Sequence, residues 1–427
     1  MNRERTQDCN HEPWRAVQVL TVFVTGLFLL GCSSPKPGQT KLAATPLGYS
    51  KTTHAERLRT IDHTEDIPVF IVSGRNLVEN PERVDPFGAM RADQPMPYLA
   101  IAKVGVGEGQ TSEEILADTL APTGDLGRTP FELKSVELVR APKVNQLDHG
   151  PGEPALADNV FEQEIDRVLR LGPSRRITIF VPGYNTHFIS NTELAAEIAH
   201  FNARDGAVIN FDWPSSGKWM GYFADKGNAI YSTRHLRKVL VRLARETSVQ
   251  EIEILAHSAG NPIVVNAMRE LRILDREMTP EQLQEKYKIQ RVVLAAPDMD
   301  LQTFINAVYD RFQDLAEGVA VYTSKKDRAL NVTSYLFRAL RLGRATENIN
   351  DWEWDVLRQV DQIEMIDATN AMSESPEFFG HSYFHNNSWV SSDVISFFEG
   401  RSPPERHLIR APGAVFWTFP DDYAERF

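Results

Sequence analysis

Leu255-Ala256-His257-Ser258-Ala259-Gly260 sets one serine among small residues. An apolar run, Ile252 to Ala256, precedes it, and a helix-like stretch from Asn261 to Leu274 follows. A serine on a sharp turn between strand and helix is a nucleophile elbow, its hydroxyl lifted above the sheet edge and facing the helix N-terminus. The turn brings backbones close together, which is why small flanking residues are needed. In the pattern G-x-S-x-G, Ala256 takes the place of the first glycine and Gly260 supplies the second. A serine at such a junction can also be a plain helix N-cap. Small residues on both flanks favour the nucleophile.

A serine nucleophile needs an imidazole to take its proton and a carboxylate to orient that imidazole. On an elbow the chain order is serine, acid, histidine, with the last two on loops after later strands. Downstream, the apolar run Val319 to Tyr322 leads into Thr323-Ser324-Lys325-Lys326-Asp327. Asp327 therefore falls just past a strand's C-terminal end, where catalytic groups gather in open α/β sheets. Asp298 and Asp300, in Ala295-Ala296-Pro297-Asp298-Met299-Asp300, are its rivals. The run Ile363 to Ile366 leads to Gly380-His381-Ser382-Tyr383-Phe384-His385. His381 is the expected base and His385 the competitor. The two are spaced as a metal pair could be, but Ser382 stands where a zinc protease motif carries Glu, so no metal is expected.

A tetrahedral oxyanion needs two backbone N–H donors. Ala259, directly after the nucleophile, supplies one. The other is expected from Val181-Pro182-Gly183-Tyr184-Asn185-Thr186, where Gly183 lets the chain approach the substrate and Tyr184 carries the donor. Pro-Gly-Tyr-Asn is also an ordinary turn sequence.

The elements that must position these residues follow from the hydrophobic pattern. Strands are expected at Ile67 to Val72, Tyr98 to Val106 and Phe131 to Val139. From residue 156 helices alternate with short, continuously apolar strands at Ile177 to Val181, Ala207 to Phe211, Ile252 to Ala256, Val292 to Ala295, Val319 to Tyr322 and Ile363 to Ile366. Helical stripes include Phe161, Ile165, Val168 and Leu169, then Leu194 to Phe201, then Leu236, Val239, Leu240 and Leu243. The alternation predicts an α/β fold with a mostly parallel central sheet, helices on both faces, and a β-rich N-terminal extension. The division is 1–31 leader, 32–65 flexible tether with a reach of about 30 Å, 66–155 extension and 156–427 catalytic core.

With 427 residues, 42% of them hydrophobic, and a net charge of −12, the chain is globular and acidic. Acidic surfaces repel phosphate backbones, so no nucleic-acid partner is expected. The apolar run Ala16 to Gly31 is too short to span a bilayer comfortably and has the size of a signal-peptide core. Its end, Leu29-Leu30-Gly31-Cys32, resembles a bacterial lipobox. Cleavage before Cys32 and lipid attachment to its sulfur would leave a cell-envelope protein anchored to the membrane, expected at the outer membrane and facing the periplasm; an uncleaved anchor and a buried core helix are the alternatives. Of the two cysteines, Cys9 would leave with the leader and Cys32 would carry lipid. Neither cysteine catalysis nor an intrachain disulfide fits.

Gly105-Val106-Gly107-Glu108-Gly109 lacks the following helix of a dinucleotide loop. Arg328, Arg338, Arg341 and Arg344 read as a solvated helix face. Trp213, Trp219, Met220, Tyr222 and Phe223 either line an acyl pocket or pack in the core.

From Ile67 onward the chain resembles a bacterial branch of the α/β-hydrolase superfamily, grouped as a domain of unknown function. The resemblance rests on Ile71-Val72-Ser73-Gly74-Arg75-Asn76, Phe180 to Thr186, Phe211-Asp212-Trp213-Pro214, Ala256 to Gly260, Ala295 to Asp300 and Gly380 to Tyr383. Pro182 and Ala256 depart from it, standing where the family carries His and Gly, and both leave the backbone donors in place. The resemblance implies a cofactor-free serine hydrolase acting on a small acyl ester. Acyl transfer and a non-catalytic binding module on the same fold are the alternatives.

Overall fold

The computed structural model describes residues 40–80, 82–121, 129–140, 159–215, 222–331, 340–344, 349–374 and 381–427. Its strands are β1 (Ile67–Ser73), β2 (Arg75–Leu77), β3 (Phe87–Arg91), β4 (Tyr98–Val106), β5 (Phe131–Arg140) and β6 (Arg176–Val181). They continue with β7 (Ala207–Asp212), β8 (Glu251–His257), β9 (Ile289–Ala295), β10 (Ala316–Thr323), β11 (Ile363–Asp367) and β12 (Trp417–Thr418). All but β2 and β3 join one ten-stranded sheet in the order β12-β11-β10-β9-β8-β6-β7-β1-β4-β5. Pairing is parallel from β12 through to β1, and antiparallel where β4 meets β1 and β5.

The central strands read as unbroken apolar runs because both of their faces are covered. Ile177, Ile179 and Val181 of β6 point into one hydrophobic cluster with Phe161, Leu236, Ile263 and Phe304. Phe180, between them, points into a second cluster with Phe188, Phe384 and Phe397. Period-two alternation thus feeds two helical layers, one on each face. The expected β-rich N-terminal region is present, and β1, β4 and β5 extend the main sheet itself.

Residues 40–65 depart from the expected tether. Leu42, Tyr49, Ala55 and Leu58 are buried in the second cluster, and Lys41 bridges to Pro130. A short helix, Thr53–Leu58, is capped by the Thr52 hydroxyl, which accepts the Ala55 N–H. Sparse apolar residues among polar ones mask this packing in the sequence, yet each large side chain buried there contributes roughly 1.5–3 kcal/mol. The leader, Cys32 and the tether's first residues lie outside the described residues, as do Trp219, Met220, Arg338 and Gly380. Among the described residues no helix is long and apolar enough to cross a membrane.

Strand order also fixes where a site can form. From β6 the chain moves to β7 on one side and then to β8 on the other. Such a reversal opens a crevice beyond the carboxyl ends of the strands.

Candidate active site

Ser258 stands at that crevice, directly after β8 and before the Asn261–Leu274 helix. Its φ is 50°, the left-handed region that a non-glycine residue occupies at a cost of about 1–3 kcal/mol. Two donors hold the strained unit: the Asn261 side-chain amide at 2.8 Å and the Asp298 N–H at 3.2 Å both reach the Ser258 carbonyl. Gly260 must be glycine, since a Cβ there would lie 2.5 Å from the Val181 carbonyl oxygen and 2.7 Å from that of Pro182. Ala256 pairs in register with Val181 and is wholly buried, so its methyl is accommodated in the core.

Asp327 follows β10 and His381 follows β11, so parallel pairing carries both to the same sheet edge as Ser258. His381 Nδ1 lies 2.7 Å from Asp327 Oδ2, and its Nε2 lies 2.8 Å from Ser258 Oγ. An ionised carboxylate only accepts, so Nδ1 carries the proton and donates, and Nε2 accepts from the serine hydroxyl. The other Asp327 oxygen accepts the Leu330 N–H at 2.9 Å. All three residues are buried.

The rival residues are engaged elsewhere. Asp298 pairs with Arg341 at 3.3 Å, and Asp300 caps the Leu301–Tyr309 helix by accepting from the Thr303 N–H. His385 stacks on Phe384 at 4.6 Å and lines an apolar pocket with Leu194 and Phe398. Burial pushes its imidazole down to about 4. Arg341 is buried on Asp298 and Arg344 donates to Asn331 and the Lys325 carbonyl, so these two do not form the solvated basic face expected of them. Among the described residues no group of His, Cys, Asp and Glu is arranged to hold a metal.

The loop after β6 closes against Ser258 at Gly183. A Cβ there would come within 3.0 Å of Ser258 Cβ and 2.9 Å of His257 Nδ1. Tyr184 follows Gly183 in this loop, and Ala259 directly follows Ser258. A cavity of about 350 Å³ borders the loop at Thr186 and His187.

Residues 157–397 match the family described as alpha/beta hydrolase of unknown function (DUF900). The chain belongs to that family. A curated relative, the uncharacterized protein alr1448 of Nostoc, is 22% identical over 175 residues, which span 35% of this chain and 45% of that protein. Among solved structures, esterase B of Lactobacillus rhamnosus is similar at 12% identity with a TM-score of 0.32, over 53% of this chain and 76% of that one. A putative cell surface hydrolase of Lactobacillus plantarum is similar at 14% identity with a TM-score of 0.30, over 54% and 95%.

In this α/β hydrolase two further residues hold the site, and neither is legible as such in the sequence. His257 Nε2 donates to the His381 carbonyl at 3.0 Å, and its ring packs on Phe384. Burial, with His381 beside it, holds His257 well below the usual imidazole range, so it stays neutral. Asn261 joins the elbow to β9 by donating to both the Ser258 and Ala295 carbonyls. Position beside the elbow is the only signal either residue carries, because their partners are remote in sequence or on the backbone.

Proposed function

We propose that the chain is a serine hydrolase that cleaves a carboxylic ester through an acyl-enzyme on Ser258. One observation carries this reading: the unbroken hydrogen-bonded line from Ser258 Oγ through His381 to Asp327. Ser258 Oγ attacks the ester carbonyl carbon while its proton passes to His381 Nε2. The Tyr184 and Ala259 N–H groups receive the oxyanion, aided by the N-terminus of the Asn261–Leu274 helix. Collapse breaks the bond to the alkoxy oxygen, which takes the proton from His381 and leaves as alcohol. Water then attacks the acyl carbon, His381 takes its proton and returns it to Ser258, and the carboxylic acid departs. Asp327 keeps Nδ1 protonated and stabilises the imidazolium throughout.

A set of p-nitrophenyl acyl esters tests the reading. The intact protein should turn over at least one chain length, and Ser258→Ala should lower kcat about 10⁴-fold or more. Turnover that survives this substitution contradicts it. On the separate ground of Leu29-Leu30-Gly31-Cys32, we propose that lipid on Cys32 holds the protein to a membrane.

A further inference from the structure

Two sequence motifs stand outside the triad, Ser73-Gly74-Arg75 and Asp212-Trp213-Pro214. Parallel pairing of β1 with β7 sets Ser73 opposite Asp212 at the strand ends. The Ser73 hydroxyl donates to Asp212 at 2.7 Å, and Arg75 Nε donates to the same carboxylate at 2.9 Å. From this buried base Arg75 reaches outward, donating to the Ser215 carbonyl at 2.7 Å and the Thr186 carbonyl at 3.5 Å.

What this base supports is the loop after β6. The buried Trp213 indole N–H donates to the Pro182 carbonyl at 2.8 Å. The Thr186 hydroxyl donates to the Gly183 carbonyl at 3.1 Å, and Asn191 in turn donates to that hydroxyl at 3.0 Å. The Ser215 hydroxyl accepts the Asn185 N–H at 2.9 Å and donates to Asp225 at 3.2 Å. Three consecutive peptide units, from Pro182 to Asn185, are thereby each held by a side chain. The middle unit carries the Tyr184 N–H. A trans peptide is planar, so fixing the Gly183 carbonyl also fixes the direction of that N–H, opposite to it. Asn185 sits in the left-handed region with a φ of 58°, a conformation such a loop would leave if released.

Resting on the reading of Ser258 as nucleophile, we propose that Trp213, Thr186 and Ser215 form a clamp that presets the Tyr184 N–H as oxyanion donor. Arg75 and Asp212 anchor this clamp to the sheet. These are positioning residues: they act on the reaction only through the backbone they hold. A donor fixed in advance needs no reorganisation as charge develops, which is where such donors have their effect.

Trp213→Phe and Ser215→Ala each remove one point of the clamp. In each, kcat should fall about 10- to 100-fold, below the loss on deleting a donor outright. KM should stay within about twofold, and Ki for a trifluoromethyl ketone matching the acyl chain should rise by the same factor as kcat/KM falls. The acid limb of the pH–rate profile should not move, since His381 and Asp327 are untouched. Unchanged kcat/KM and Ki in both variants, or a rise in KM alone, would overturn the proposal. Hydrogen exchange at the Asn185 amide gives a readout independent of activity. Exchange should quicken about tenfold or more in Ser215→Ala while amides of β9 and β10 hold their rates; an unaltered Asn185 rate refutes the clamp. If the unmodified protein turns over no ester, the nucleophile reading fails, and the exchange rate alone then decides whether the clamp exists.

Discussion

Asp327 is the residue whose role chemistry constrains most tightly. Its Oδ2 accepts the His381 Nδ1 proton and its Oδ1 accepts a backbone N–H, so both oxygens act as acceptors. Asn at this position keeps the shape but offers an amide in place of one oxygen, and the imidazole can then adopt the wrong tautomer. Asp327→Asn should lower kcat about 10³- to 10⁴-fold with KM nearly constant. Steady-state ester hydrolysis checks this, and a loss below tenfold would point to another acid. That Ser258, Asp327 and His381 meet in space was legible because strand ends and chain order restrict where such residues fall. Asp298 and Asp300 met the same sequence criteria; only their partners, Arg341 and the Leu301–Tyr309 helix, separate them from Asp327. Such partners are long-range or depend on a helix start, and the residue type of an aspartate reports neither.

At the scale of elements, the Phe188–Phe201 helix explains why residues 40–46 are packed. Two of its carboxyls are buried: Glu193 accepts from the Thr40 hydroxyl at 2.5 Å, and Glu197 accepts the Ala43 N–H. A glutamate in a helix normally signals a solvent face, so the sequence hides this contact. Burial pushes Glu197 up to about 8 from an ordinary value of 4.5. The native state therefore holds a proton that the unfolded chain releases. Its stability contribution is complete below pH 4.5 and is lost as pH rises through about 8. Gln keeps the acceptor for Ala43 and cannot ionise. The thermal midpoint of Glu197→Gln minus that of the unmodified protein should grow between pH 5 and pH 9. A difference constant across that range would mean that Glu197 is ionised when folded. Strands were more legible than these contacts: β4 falls at the expected residues, and β6 to β11 lie within one to three residues of expectation at either end. Their apolar runs are continuous because helices cover both faces. The β2–β3 hairpin carries no comparable pattern, with an exposed Met90 and few buried side chains.

For the whole molecule, parallel pairing does two things at once: it buries a sheet on both faces and brings strand ends from distant segments to one edge. Ser258, Asp327 and His381 share that edge because β8, β10 and β11 run in the same direction. The lipid anchor belongs to this scale too. If Cys32 carries it, Cys32→Ser should move the protein from the membrane to the soluble fraction while ester turnover persists, as read by fractionation and activity together. Unchanged fractionation would remove the anchor and leave the catalytic reading intact. The most direct measurement of that reading is the mass of the protein after reaction with a fluorophosphonate. One phosphonyl group should be added per chain, on the peptide carrying Ser258, and none should be added to Ser258→Ala. An adduct on another residue, or no adduct on the folded protein, would contradict the account.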